Sequence, residues 1–319
     1  MKIMVTGGAG CIGSELVGKL LKEENNVTVY DNLSSGKIEH ISPYKSDKNF
    51  AFIKADLLNK KTLMDAMKGY DIVFHLAANP DIKFLPGDVT DNDLKQNTIA
   101  TYNVLEAMRI NNIKKIVFSS TSAVYGEAKI IPTKEDYAPL IPISLYGASK
   151  LACEGLISAF AGMFDMQAWI FRFANIVGSK SRKIGTTVIS DFINKLKRNP
   201  KELEILGNGK QRKSYLLLED CIDGMLFGLT KAKERVNILN LSAGDNVSVN
   251  EIASMIIAEM GPKNVKIKYT GGDRGWLGDV PVTLLSAEKI KKLGWVAKYN
   301  SKGAVELAIR NTVNNYGKS

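Results

Sequence analysis

Lys2-Ile3-Met4-Val5-Thr6-Gly7-Gly8-Ala9-Gly10-Cys11-Ile12-Gly13, with Tyr30-Asp31 closing 18 residues beyond Gly13, is the stretch that decides the fold. Its first residues read as a buried strand, and Ile12, Leu16 and Leu20 recur at the spacing of one helix face. The glycine-rich turn between them lets the backbone close tightly and lets a pyrophosphate rest on the helix N-terminus. Glycines alone could serve nothing more than a strand–helix turn. The acid at the end of the second strand supplies the other half, because a carboxylate about 20 residues on accepts hydrogen bonds from the adenosine ribose. Asp31 would also repel a 2′-phosphate, and Asn32 rather than an arginine follows it. The stretch predicts a Rossmann-type dinucleotide site and favours NAD over NADP.

Working outward, strands are expected over 27–30, 50–54, 72–76, 115–118 and 168–172, and helices over 12–21, 61–67, 91–109 and 144–164. Near-continuous apolar strands alternating with helices indicate a parallel sheet covered on both faces. Past residue 172 the elements shorten. Helices are expected over 188–197, 219–230, 249–259, 286–292 and 302–314, with a strand over 236–241 as a candidate to return to the sheet. The expected fold class is α/β: a Rossmann-type doubly wound parallel sheet with a smaller C-terminal α+β substrate-binding lobe. Residues 1–172 form the NAD-binding core in this reading, rejoined by segments from about 210–241, and 173–319 form mainly the lobe.

Composition narrows the function classes. The chain of 319 residues carries 43 Lys and Arg against 33 Asp and Glu, a net charge of +10. The basic residues are dispersed, with short clusters at 180–183 and 195–201 and no aromatic interleaving, so nucleic acid is not an expected partner. Phosphate-bearing small molecules suit such a surface. No run approaches the roughly 20 apolar residues of a membrane span. The N-terminus reads straight into a strand with no signal peptide, and Cys11, Cys153 and Cys221 are too few and too scattered for a disulfide framework. A cytoplasmic protein is expected. His40 and His75 are the only histidines, so no metal site is expected and the general base must be another residue type.

Tyr-x-x-x-Lys occurs three times, at Tyr44/Lys48, Tyr125/Lys129 and Tyr146/Lys150. Tyr44 follows Pro43 in a polar loop, and Tyr125 precedes Gly126 and Pro132. Only Tyr146/Lys150 opens a long helical pattern, which sets i and i+4 side by side. Beside a dinucleotide, a lysine ammonium and a nicotinamide cation would lower a phenol pKa otherwise near 10. A hydroxyl to orient the reacting oxygen is available in Ser119-Ser120-Thr121-Ser122, at the carboxyl end of the fifth strand where ligands bind in such sheets.

Together with Asp31-Asn32-Leu33-Ser34-Ser35-Gly36, His75-Leu76-Ala77-Ala78, Ser119 to Gly126 and Tyr146-Gly147-Ala148-Ser149-Lys150, the chain resembles the extended short-chain dehydrogenase/reductases. Within them it is most similar to the UDP-glucose 4-epimerase branch, archaeal forms in particular. The resemblance implies that Gly7, Gly10, Cys11, Ile12 and Gly13 bind pyrophosphate, and that Asp31, Asn32, Ser35 and Gly36 line the adenosine ribose. It implies Asp56 and Leu57 beside the adenine, and Leu76, Ala77, Ala78, Asn97, Ser119 and Phe173 along the rest of the cofactor. Thr121, Tyr146 and Lys150 would be catalytic. Ser122, Asn175, Val188, Lys213, Arg274 and Asp279 would join Thr121 and Tyr146 on a nucleotide-diphosphate sugar, UDP-hexose above all. Helices 91–109 and 144–164 would pair into a homodimer. The implied reaction is NAD-dependent epimerisation at C4 through a 4-keto sugar.

The departures bear on the substrate. Arg212-Lys213-Ser214 stands where many relatives have Arg-Asp, and Trp276-Leu277-Gly278-Asp279 lacks the usual arginine, for which Arg274 is a substitute. Residues 84–91 fit none of the motifs quoted above. Thr283 falls where relatives that exclude N-acetylated sugars carry a tyrosine. A nucleotide-sugar 4,6-dehydratase would need Asp-Glu directly after the catalytic threonine, where Ser122-Ala123 stand. A nucleotide-sugar decarboxylase, a 4-ketosugar reductase and a non-catalytic nucleotide-sensing Rossmann protein remain alternatives.

Overall fold

The computed structural model describes residues 1–79, 87, 89–178 and 187–316. The basic run at 180–183, and 84–86 and 88 of the stretch 84–91, lie outside them. In chain order the first elements are β1 (Lys2–Thr6), α1 (Cys11–Lys22), β2 (Asn26–Asp31), α2 (Ile38–Ile41), β3 (Phe50–Lys54), α3 (Lys60–Ala66), β4 (Ile72–His75), a π-helix (Leu94–Ile99), α4 (Ala100–Ile110), β5 (Lys115–Thr121), α5 (Leu145–Met163) and β6 (Gln167–Phe173). There follow β7 (Asn175–Val177), α6 (Val188–Arg198), β8 (Glu202–Ile205), β9 (Arg212–Lys213), β10 (Tyr215–Leu217), α7 (Leu218–Lys231), β11 (Val236–Leu241), β12 (Val247–Ser248), α8 (Val249–Met260), β13 (Lys266–Tyr269), α9 (Glu288–Leu293) and α10 (Ser301–Tyr316).

The main sheet has seven strands in the order β11-β6-β5-β4-β1-β2-β3. The expected doubly wound Rossmann sheet is present, and 236–241 does return to it. The order reverses direction between β1 and β4, which pair in parallel with Thr6 opposite His75. Crevices at such reversals, outside the carboxyl ends of the strands, are where ligands bind. The strands are apolar because both faces are covered: Ile3, Met4, Val5, Val73, Phe74, Val117 and Phe118 are fully buried. Each such side chain contributes about 1.5–3 kcal/mol by leaving water.

The chain divides into two compact units. The first is Met1–Val124, Leu145–Arg172 and Leu226–Leu239. Its core packs Val104, Leu105 and Met108 of α4 and Ile157 and Phe160 of α5 with Met4, Ile116 and Ile170. The second unit is Tyr125–Ser144, Phe173–Met225 and Asn240–Ser319, with a core of Phe192, Ile193, Leu203, Tyr215, Ile252, Val305 and Ile309. Two boundaries differ from expectation. Segment 125–144 goes with the second unit, because Asn240 accepts from the Tyr125 hydroxyl at 2.7 Å and donates to the Thr133 carbonyl at 3.0 Å. From about 210–241, only Leu226–Leu239 goes with the first.

The helix expected over 91–109 is not one α-helix. Its first part is the π-helix, a form that concentrates at functional sites. Its wider turn carries Asn97, which accepts from the Asn79 amide at 2.8 Å and donates to Ser149 Oγ at 2.9 Å. Tyr44 also differs from expectation. It ends a short 3-10 turn, and its hydroxyl donates to the Ser14 carbonyl on α1 at 3.2 Å. The second unit holds three two-stranded pairings that no run in the sequence announces, β10-β7, β12-β9 and β13-β8.

Candidate active site

The glycine loop sits at the reversal of the sheet. Gly7 has φ of +71°, and a Cβ there would run into the backbone of Leu76 and Ala77, which follow β4. A Cβ at Gly13 would collide with the Gly7 carbonyl, so helix α1 can start this close to the loop only with glycine at that place. Gly10 caps α1 with no side chain, and the first turn holds no acidic residue. That end of the helix dipole suits an anion.

At the end of β2 the Asp31 carboxylate accepts one amide on each oxygen, Ala9 at 2.9 Å and Leu33 at 2.8 Å. A carboxylate has about four lone-pair sites, so acceptor capacity remains for a ribose. Gly36 lies against Ala9, and the neighbouring Ser35 is exposed. Asn32 donates to Asp56 Oδ2 at 2.8 Å, and the Leu57 carbonyl accepts from Asn103 at 3.0 Å, which ties the ends of β2 and β3 to α4. Leu76 donates its amide to the Thr6 carbonyl at 3.0 Å and leads into half-buried Ala77 and Ala78. A close-approach loop, an open helix end and a ribose-type acid are the parts that NAD needs, and this chain's residues fit it.

Thr121 ends β5, and Tyr146 and Lys150 stand one turn apart on α5. The Thr121 hydroxyl is hydrogen-bonded to the Tyr146 phenol. Lys150 is buried, donates to the Ser119 carbonyl at 2.8 Å and lies 4.6 Å from the Phe118 ring centre. Burial lowers Lys150 to about 8 against the raising effects of Cys153, Glu154 and Asp93. Burial, Asp93 and Cys153 push Tyr146 up, and the Thr121 hydrogen bond acts the other way. The expected lowering of this phenol involves a nicotinamide cation; the chain's own burial and acidic neighbours act in the raising direction. Ser122 begins a 3-10 turn after the strand.

His75 is a clamp and not a base. It is fully buried between Thr6 Oγ1 at 2.7 Å and Thr101 Oγ1 at 2.9 Å, and burial, with the Lys150 charge, holds it at about 3. Among the described residues no group of three or more His, Cys, Asp or Glu could hold a metal ion.

In the second unit, Lys213, Arg274 and Asp279 converge. Lys213 Nζ donates to Asp279 Oδ1 at 2.7 Å and to the Val280 carbonyl. Arg274 donates to the Asp279 carbonyl at 2.8 Å and to Glu127 at 2.7 Å. Burial lowers the Lys213 pKa, with Asp279 raising it and Arg274 lowering it. Arg212 is turned elsewhere, to Asn246 at 2.9 Å and Glu251 at 3.2 Å. Asn175 is exposed at the start of β7, Val188 starts α6, and Phe173 is buried at the end of β6.

Residues 3–242 match the model of the NAD dependent epimerase/dehydratase family. The chain belongs to that family. NAD is accordingly its cofactor. A Methanocaldococcus jannaschii protein provisionally assigned as a UDP-glucose 4-epimerase is 33% identical over 98% of this chain and 99% of its own length. A solved UDP-galactose 4-epimerase is 36% identical with a TM-score of 0.87, covering 99% of both chains. The UDP-glucuronic acid 4-epimerase of Bacillus cereus, solved with UDP-glucuronic acid and NAD, is 28% identical with a TM-score of 0.87, over 99% of this chain and 100% of that one.

In this member of the epimerase/dehydratase family, several neighbours of the site belong to none of the motifs above. Asp93 accepts from Asn79 and Asn97, both at 3.1 Å. Cys153 accepts from Thr101 at 3.2 Å, and Glu154 pairs with Arg172 at 2.7 Å. The available signal was a charged residue one turn after Lys150 inside an otherwise apolar helix.

Proposed function

We propose that this protein interconverts UDP-hexoses at C4, in the UDP-glucose/UDP-galactose manner, through a transient 4-keto sugar. The observation that carries the reading is the Thr121–Tyr146 hydrogen bond with Lys150 one helical turn away. NAD, when bound, would supply a reversible hydride acceptor for C4. Tyr146 takes up the proton of the sugar 4-hydroxyl and later returns it. Thr121 orients that hydroxyl, and Lys150 keeps a positive charge beside the phenol. Asp31 and Asn32, with Ser35, Gly36, Asp56 and Leu57, hold the adenosine half of the cofactor. Gly7, Gly10, Cys11, Ile12 and Gly13 hold its pyrophosphate. Leu76, Ala77, Ala78, Asn97, Ser119 and Phe173 flank the remainder.

Ser122, Asn175, Val188, Lys213, Arg274 and Asp279 bind the nucleotide sugar in this reading. Arg274, whose side chain is about a third exposed, is the cation for the diphosphate, and buried Lys213 orders Asp279 behind it. Relatives named for UDP-glucose and structures solved with UDP-sugars support a uridine nucleotide. Ser122-Ala123 after Thr121 speaks against the dehydratase reaction. We further propose a homodimer and a cytoplasmic location; the three free cysteines support a reducing compartment. The test is incubation with UDP-, dTDP-, GDP- and ADP-sugars followed by NMR. Interconversion of a UDP-hexose pair is expected, and turnover confined to another nucleotide, or none, overturns the reading.

A further inference from the structure

Glu154 lies on α5 one turn beyond Lys150 and is buried. Arg172 of β6 meets it with two prongs, Nε to Oε1 at 3.0 Å and Nη2 to Oε2 at 2.7 Å. Ser120 of β5 donates its hydroxyl to the same Oε1. Ser120 stands between Ser119, whose carbonyl holds Lys150, and Thr121, which holds Tyr146. Two strands and the catalytic helix therefore meet on one carboxylate. Taking two charges out of water is costly, and apolar residues of similar volume often stabilise a core as well. Stability alone does not account for an ion pair at this place.

We propose that Glu154, held by Arg172, is a positioning residue for the reaction: it fixes the end of β5 against α5, so that the Thr121 hydroxyl and the Lys150 ammonium keep their places at Tyr146. The inference rests on the Thr121–Tyr146–Lys150 reading above. Electrostatics run in the same direction. The Glu154 carboxylate favours the charged form of Lys150, as do Cys153 and Asp93, against burial. His75, which also faces the lysine, is held neutral by burial.

The test is kcat and KM for a UDP-hexose across pH, with bound NAD and circular dichroism measured on each variant. Glu154→Gln leaves a buried guanidinium uncompensated and risks unfolding. The test therefore uses the apolar double variant Glu154→Leu with Arg172→Met, and Ser120→Ala, which removes one hydrogen bond and keeps the ion pair. The double variant should fold and keep its NAD and KM, with kcat lower by about 10²-fold, the scale of a small misplacement of reacting groups. The alkaline limb of its profile should move to lower pH, because the carboxylate that keeps Lys150 charged is gone. Ser120→Ala should lower kcat in the same direction and less. A folded double variant with unchanged kcat and limb overturns the inference, and if that variant does not fold, unchanged kcat in Ser120→Ala does so. Tyr146→Phe run alongside separates the two claims: full activity there sinks the catalytic reading itself.

Discussion

The Thr121 hydroxyl is hydrogen-bonded to the Tyr146 phenol, one group from the end of a strand and the other from the first turn of a helix. A reacting sugar hydroxyl placed against this pair meets an orienting group and a proton acceptor together.

Tyr146→Phe keeps the ring and removes the acceptor. Positioned acid–base groups contribute about 10²–10⁴-fold, so kcat should fall by that much while NAD stays bound. Thr121→Val should be severe and Thr121→Ser mild, since the hydroxyl is what touches the phenol. Substrate deuterated at C4 should keep its label through inversion; loss of the label to solvent would mean direct proton abstraction and no hydride cycle.

In the proposed mechanism, Lys150 should set the alkaline limit of the activity. Its ammonium exists below its pKa of about 8 and is lost as pH rises through that value. Turnover should therefore decline above about pH 8, and Lys150→Ala should be nearly inactive at every pH. His75, held at about 3, should leave no mark between pH 5 and 8, where an ordinary histidine titrates. An inflection near 6.5 that disappears in a His75 variant would contradict this assignment.

Asp31→Ala should leave the fold intact, because its two partners are loop amides. Hydrogen bonds to a charged group are worth about 1.5–3 kcal/mol, so NAD affinity should drop roughly 10–100-fold. Chromatography of nucleotide released by denaturation checks it, with NAD and not NADP expected from the unsubstituted protein.

Arg274→Ala should raise KM about tenfold or more with a smaller effect on kcat, the signature of a lost ground-state contact. Thr283 is half-buried beside Ser214, and we propose that a threonine in place of a tyrosine there admits a 2-acetamido group. UDP-N-acetylgalactosamine should therefore be turned over, and Thr283→Tyr should abolish that activity while sparing UDP-galactose. A protein that converts UDP-galactose and ignores the acetamido sugar refutes the assignment.

Ile99, Tyr102 and Met163, on the helices proposed to pair, are exposed at 40%, 38% and 73%. Light scattering at micromolar concentration should give twice the chain mass, and Tyr102→Glu should shift it toward the monomer. A monomeric mass for the unsubstituted protein rejects the dimer.

The Rossmann core is legible in the residues alone, because its signals are local. Apolar strands, a glycine turn that tolerates no Cβ and Asp31 at a set distance each act within a few residues of their own position. The sequence also singles out Tyr146 from three matching patterns, since only a helix brings i and i+4 together. Other features arise only from packing. Asn97 bridges Asn79 and Ser149 because a π-turn displaces it from a regular helix, and residue spacing does not report that. Segment 125–144 joins the second unit through Asn240, more than a hundred residues away. Burial and the carboxylate of Asp93 raise the phenol of Tyr146 against one hydrogen bond. Burial and through-space charge belong to packing, and they exist only once distant segments have met.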